Sequence, residues 1–137
     1  MDFPGLELKI RMTLVAGPDL SVFVPVRLSY KDTDPYAVQF SFEVTPDQVV
    51  QWTFARELLD QGLTAPAGIG DVKIAPIGPH RNRCFSIELE SADGYVCLEG
   101  PAASVKAWLA QTFEAVPAGR ESESVDIDSL LDKLLNH

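Results

Sequence analysis

The stretch that decides the fold is DPYAVQFSFEVTPDQVVQWTFARELL, residues 34–59. Apolar and polar side chains alternate over residues 38–44, and again over residues 49–54, with a proline turn between the two runs. A period of two is typical of strands that bury one face. After the second run the pattern changes to that of a short helix, which we predict over residues 55–61 with Gly62 as its stop. The stretch therefore predicts a β-hairpin that leads directly into a helix.

The same alternation recurs elsewhere and predicts five further strands, around Leu6–Leu14, Val22–Leu28, Val72–Ile74, Phe85–Leu89 and Val96–Leu98. A longer helix is predicted after Pro101, because one helical stripe contains Val105, Trp108, Leu109, Thr112, Phe113 and Val116. This order of elements predicts an α+β fold: two antiparallel sheets of four and three strands, with helices packed at one side.

The chain is expected to divide into one α+β domain, residues 1–119, and an acidic linker with a C-terminal amphipathic helix, residues 120–137. Asp126 is suited to cap this last helix. Its narrow apolar stripe contains Ile127, Leu130, Leu131, Leu134 and Leu135. A helix this short is not stable alone, so it must dock on its own domain, on a neighbouring copy or on a partner.

Charge and cysteine content narrow the class of protein. The 137 residues carry a net charge of −9, which argues against nucleic acid and anionic membrane surfaces as partners. The N-terminus does not resemble a secretory signal, and we expect no membrane span. If Asp93-Gly94 forms a hairpin turn, Cys97 lies opposite Glu90, too far from Cys84 for a disulfide. We therefore expect a cytoplasmic protein with two reduced cysteines.

The sequence shows no arrangement of residues that predicts catalysis, a cofactor or a metal site, so we expect a protein that is not an enzyme. His80, Arg81 and Arg83 form the one dense basic spot, a candidate weak anion or nucleic-acid patch that is otherwise a solvated loop. His80 and Cys84 are the nearest His–Cys pair, but no third residue is placed to orient them as a catalytic unit requires.

Three residues of the opening stretch are candidates for a partner or subunit interface. Tyr36 and Trp52 could contribute to an aromatic surface, although Trp52 also has the parity of a core residue. Arg56 begins a helix, where a cation gains nothing from the helix dipole. We therefore expect an acidic group to hold it, either within the chain or across an interface. The apolar stripe of the C-terminal helix, Ile127, Leu130, Leu131 and Leu134, completes this candidate interface.

Several segments together resemble the SsgA-like sporulation and cell-division proteins of actinomycetes, with the SsgB subgroup as the nearest. The resemblance covers about residues 6–135 and is strongest at Asp34-Pro35-Tyr36-Ala37-Val38, Trp52, Phe54-Ala55-Arg56, Leu58-Leu59, Gly62-Leu63, Gly68, Gly70-Asp71-Val72, Pro76, Leu98-Glu99, Pro101 and Asp126-Ile127-Asp128. Ala75 and Gly100 depart from the residues expected there.

The resemblance implies a non-enzymatic regulator of sporulation-specific septation, concentrated at division septa. It implies that the protein helps to position or recruit the ring protein FtsZ together with its relative SsgA. It also implies a homotrimer with a fold similar to the Whirly-type single-stranded nucleic-acid-binding proteins. That likeness leaves single-stranded nucleic-acid binding as the alternative function, against which the acidic charge argues.

Overall fold

The structure is a computed structural model that describes residues 5–123, except for the side chains of His80 and Glu123. Its strands are β1 (Leu6–Gly17), β2 (Leu20–Tyr30), β3 (Ala37–Thr45), β4 (Gln48–Ala55), β5 (Val72–Ile77), β6 (Cys84–Ser91) and β7 (Gly94–Pro101). Its helices are α1 (Arg56–Gly62) and α2 (Ala102–Ala115), and single 3₁₀ turns cover His80–Asn82 and Glu121–Glu123. The predicted C-terminal helix lies outside the described residues, with Ile127, Leu130, Leu131 and Leu134.

All seven strands form one antiparallel sheet, in the order β4-β3-β2-β1-β7-β6-β5. The predicted groups of four and three strands are present, but the prediction of two separate sheets is wrong. Thr13 pairs with Glu99 and Leu14 with Leu98, so a short ladder between β1 and β7 joins the groups. Alternation in the sequence reveals which face of β1 is buried. It does not reveal which strand pairs with the backbone groups on the edge of β1 that faces away from β2. A Whirly-like fold remains a prediction.

The turns of the sheet are divided between two ends. The hairpins β1–β2, β3–β4 and β6–β7 all turn at one end, because β7 runs antiparallel to β1. We call this the hairpin end and define it by residues 15–23, 44–50 and 91–96. The opposite end, called the helix end, contains residues 31–36, the start of each helix and residues 78–83.

Both helices pack on the face of the sheet that carries the alternating apolar residues. One core cluster joins strand residues such as Met12, Phe40 and Ile87 to Leu59 of α1 and Trp108 of α2. The predicted stripe of α2 is confirmed, since its buried positions include Val105, Trp108, Leu109, Thr112 and the adjacent Val116. Pro101 lies immediately before α2 in an extended conformation, rather than at its first helical position.

Gly62 ends α1, but for a reason that differs from the prediction. The residue is the last of the helix and lacks the positive φ of a left-handed cap. A Cβ atom at this position would overlap the side chain of Ile74 in β5. The glycine therefore allows β5 to approach the helix closely.

The β6–β7 hairpin is present with a register two residues away from the expected one. Ser91 pairs with Gly94, so Cys97 lies opposite Glu88 instead of Glu90. Both cysteines are free thiols, as their separation predicts.

Candidate protein-interaction surface

The Asp34-Pro35-Tyr36 segment forms the turn between β2 and β3 and connects it to α1. The Tyr30 hydroxyl donates a hydrogen bond of 2.8 Å to the Pro35 carbonyl. The Arg56 amide donates one of 2.7 Å to the Tyr36 carbonyl, which fixes the start of α1 against the turn. Burial raises the pKa of the Tyr30 hydroxyl, so this group stays a donor at neutral pH. The motif therefore has a structural role at the helix end.

Arg56 is 1% exposed, the most deeply buried charge in the described part of the chain. Its guanidinium donates to the carbonyls of Thr112 (3.0 Å) and Val116 (2.8 Å), at the C-terminal end of α2. It also pairs with the Glu121 carboxylate at 2.9 Å. The last carbonyls of a helix lack intrahelical donors and carry partial negative charge, so a cation is favourable there.

Aromatic rings surround the same guanidinium. Its central carbon lies 4.1 Å from the ring centroid of Phe113 and 5.0 Å from that of Tyr30. A desolvated cation gains energy over such rings. Arg56 therefore joins the end of α2, the following 3₁₀ turn and the edge of the sheet.

The acidic group that holds Arg56 is therefore within the chain, one of the two predicted alternatives. Arg56 is buried within its own chain, where its guanidinium donates to Thr112, Val116 and Glu121. Its contribution to a partner or subunit interface stays a prediction. The pKa of the Glu121 carboxyl is lowered, first by a backbone hydrogen bond at Glu121 and then by the hydrogen bond from Arg56. Glu121 therefore stays ionised, and the pair stays formed, at neutral pH.

The two aromatic candidates lie in different environments. Trp52 is half-buried and packs against the core cluster from the core-facing side of β4. Tyr36 is 54% exposed and lines a cavity beside Arg56, Phe113 and Glu121. The two residues lie near opposite limits of β4, since Phe40 pairs with Trp52 while Ala37 pairs with Ala55. The structure does not bring them together into one aromatic surface.

The hairpin end carries most of the exposed large apolar side chains of the described residues. Of eleven exposed large apolar side chains, two, Tyr36 and Ile69, lie elsewhere. The other nine lie in the three hairpins: Val15, Leu20, Val22, Phe23, Val44, Val49, Val50, Tyr95 and Val96. A concentration of this kind marks an interaction surface, whereas scattered apolar residues do not.

Sequence reasoning missed this surface because part of it has core parity. Val22, Val50 and Val96 point to the same face as the core residues, yet they are 37–48% exposed. Both helices begin at the helix end, and these positions near the opposite ends of the strands remain partly uncovered. The available signal was the run of apolar residues that continues to each turn.

Acidic side chains surround the apolar hairpin end. Each of the three hairpin turns carries one exposed aspartate: Asp19, Asp47 and Asp93. The phenol of Tyr95 donates to the Glu88 carboxylate at 2.5 Å, which raises the pKa of Tyr95 to about 12. The hairpin end therefore combines exposed apolar side chains with an exposed carboxylate in each turn.

The predicted basic patch lies at the other end of the molecule. Arg81 lies within the 3₁₀ turn that precedes β6, His80 begins that turn and Arg83 follows it. Arg81 is exposed and Arg83 is half-buried. This region is separate from the hairpin end, and its anion or nucleic-acid role stays a prediction.

These features define a class: an α+β domain with one curled antiparallel sheet, two helices on one face and an exposed apolar surface. Residues 24–121 match the family model described as "Streptomyces sporulation and cell division protein, SsgA". The chain belongs to this family of sporulation and cell-division proteins, as the sequence resemblance predicted.

Relatives and solved structures agree with this assignment. The chain is 40% identical to the sporulation-specific cell division protein SsgB of Frankia casuarinae, over 94% of this chain and 89% of that protein. It is 38% identical to SsgB of Streptomyces coelicolor, over 93% of each. The SsgA-like sporulation-specific cell division protein of Thermobifida fusca has a crystal structure with a TM-score of 0.86 at 34% identity, covering 97% of each chain.

A second solved structure comes from work on SsgB mutations that correlate with longitudinal cell division during sporulation of Streptomyces coelicolor. It matches with a TM-score of 0.85 at 36% identity, over 90% of this chain and 97% of that one. The matched descriptions name cell-division proteins and no enzyme. Within residues 5–123, no helix has the length and apolar character to cross a membrane.

Proposed function

We propose that this chain is a docking module of sporulation-specific cell division that helps to position or recruit the FtsZ ring at septa. It acts through shape and side-chain complementarity and carries out no reaction. The observation that carries the proposal is the concentration of nine exposed apolar side chains at the hairpin end. Membership of a family named for sporulation and cell division supports the biological setting.

The chemistry of the hairpin end indicates what its partner must offer. The exposed apolar side chains favour a partner surface or segment with apolar anchors. The exposed aspartates of the three turns and the net charge of −9 favour lysine and arginine around those anchors. Nucleic acid fits this surface poorly, because its phosphates would meet the aspartates of the three turns.

Co-sedimentation with polymerised FtsZ tests this proposal. The double variant Phe23→Ser, Val49→Ser removes two side chains that are 65% and 49% exposed, one from each of two hairpins. We expect the intact chain to sediment with the polymer and the double variant to remain in solution.

Tyr36→Ser is the matched control, because Tyr36 is 54% exposed and lies at the helix end, away from the three hairpins. We expect this variant to sediment like the unchanged chain. Equal sedimentation of all three proteins would contradict the proposed surface. A different partner could bind the unchanged chain, fail to bind the double variant and not be displaced by FtsZ. That result would retain the surface and refute the assignment to FtsZ.

We further propose that the chain assembles as a homotrimer and works with SsgA at the septum. Among the described strands, β4 and β5 each have one unpaired edge on which another copy can align. Light scattering should give about 45 kDa for three chains of 15.0 kDa. A mass of one chain at micromolar concentration would refute the trimer.

A further inference from the structure

The helix end contains a cavity with a cationic lining. The cavity measures about 420 Å³, and its walls combine three cations with neutral side chains: Arg81, Arg83, Lys106, Leu63, Thr64, Ala102 and Ala103. No carboxylate side chain lines it among the described residues, although the chain carries a net charge of −9. Three of the eleven Lys and Arg residues therefore converge on one concave site.

Backbone contacts bring the three cations together. The Ala102 amide donates to the Arg83 carbonyl at 3.2 Å, which places the residue before β6 beside the first turn of α2. Lys106 lies four residues after Ala102 and therefore on the same side of the helix. Arg81 contributes from the 3₁₀ turn that precedes β6. The cluster therefore depends on the fold and not on sequence proximity alone.

The cations are not neutralised within the described part of the chain. None of Arg81, Arg83 and Lys106 forms an ion pair there. The Nε–H of Arg83 is buried and has no hydrogen-bond acceptor within residues 5–123. A buried donor without a partner is costly, so an acceptor supplied by a ligand would be favourable.

Main-chain donors point to the same region. Pro101 precedes α2 without a side-chain cap, and the first turn of the helix has no acidic residue. The amides of Ala103 and Ser104 have no carbonyl partner within the helix, because helix geometry leaves the first amides unpaired. They add partial positive charge to the cavity wall formed by Ala102 and Ala103.

The wall formed by the end of α1 does not oppose an anion strongly. The Gln61 carbonyl there accepts hydrogen bonds from the amides of Thr64 and Ala65, at 3.1 and 3.0 Å. The Thr64 hydroxyl donates a third bond of 3.1 Å to the same carbonyl. The partial negative charge of the Gln61 carbonyl is therefore already compensated by donors within the chain.

We propose that this cavity binds the phosphate group of a small phosphorylated molecule. A phosphate monoester carries about −1.5 to −2 charges at pH 7 and three strong acceptor oxygens. Two guanidinium groups and one ammonium group suit that charge, whereas a single carboxylate would leave most of the positive charge uncompensated. The site lies opposite the hairpin end, and the proposal does not depend on the docking function.

An NMR titration of the whole chain at constant ionic strength tests the proposal, with inorganic phosphate and adenosine monophosphate as separate probes. We expect both probes to give saturable shifts of the Ala103 and Ser104 amides and of the Arg83 Nε–H. A response to adenosine monophosphate but not to inorganic phosphate would show recognition of the nucleoside and overturn the proposal.

The double variant Arg81→Gln, Lys106→Gln changes two exposed side chains and keeps Arg83 in place. We expect it to weaken phosphate binding at least about tenfold, because it removes two charge-assisted contacts. Lys9→Gln is the control for loss of one exposed positive charge elsewhere and should bind as the unchanged chain does.

Equal affinity of the double variant and of Lys9→Gln would overturn the proposal, as would shifts that never saturate. A single-stranded oligonucleotide is the third probe. If it alone shifts these resonances, with a steep dependence on salt, the cations follow a nucleic-acid backbone and the phosphate pocket is refuted.

Discussion

The two ends of the sheet differ in which side chains they bury and which they expose. At the helix end a guanidinium, that of Arg56, is 1% exposed and is paired with two carbonyls and one carboxylate. At the hairpin end nine large apolar side chains are exposed. The buried charge has its partners within the chain, while the described residues leave the nine apolar side chains exposed.

This contrast separates stability from binding. Removal of a buried charge that holds three acceptors should destabilise the fold, because those acceptors lose their donors. Removal of an exposed apolar side chain should leave folding nearly unchanged and act only where a partner covers it. Stability measurements on variants at each end test this separation.

Arg56→Ala should lower the free energy of unfolding by about 3 kcal/mol, the range for breaking a buried ion pair. The variant leaves the Thr112 and Val116 carbonyls and the Glu121 carboxylate without this donor. Urea unfolding followed by circular dichroism measures the change. The free energy of unfolding of Arg56→Lys should lie between those of the unchanged chain and Arg56→Ala, because an ammonium cannot reproduce the planar donor geometry. A melting temperature of Arg56→Ala equal to that of the unchanged chain would contradict a structural role for Arg56.

Gly62→Ala should cost about 1–3 kcal/mol, since the added methyl overlaps Ile74 and forces α1 away from β5. Gly17→Ala is the matched control at the hairpin end. No heavy atom lies within 4 Å of a Cβ at Gly17, and its φ is not positive. We expect the control to melt within a few degrees of the unchanged chain. Similar losses of stability in Gly62→Ala and Gly17→Ala would show that close packing does not distinguish the helix end from the hairpin end.

Acid should weaken the helix end through Glu121. Its carboxyl has a lowered pKa in the folded chain relative to the ordinary 4.5, so its contribution to stability is present above that pH. The contribution is lost as the pH falls through the lower folded-state pKa. The stability difference between the unchanged chain and Glu121→Gln should therefore be constant near neutrality and shrink below about pH 4. A difference that persists at pH 3 would mean that the charge on Glu121 is not responsible.

Phe23→Ser, Val49→Ser should have the smallest effect, below about 1 kcal/mol. Phe23 loses one exposed contact with Arg11, whose guanidinium carbon lies 4.6 Å from the ring centroid, a contact of about 0.5–1 kcal/mol at an exposed site. Thermal unfolding measures this change. A loss as large as that of Arg56→Ala would show that the hairpin end is part of the core.

Sequence patterns predicted the local elements but not the partnerships between distant ones. All seven strands and both helices of the described part were predictable, because each has a clear period. The pairing of β1 with β7 was not, since alternation identifies faces and not edges. The partner of Arg56 could not be named, because Glu121 lies 65 residues away and belongs to a stretch without periodicity. The exposed part of the core-facing side was missed because parity says nothing about how far a helix extends over a sheet.

Amide hydrogen exchange of the chain with and without FtsZ tests most directly whether the hairpin end is the docking surface. The account predicts added protection in residues 15–23, 44–50 and 91–96, with little change in α1 and α2. Protection confined to the helices and the turn at residues 31–36 would contradict it.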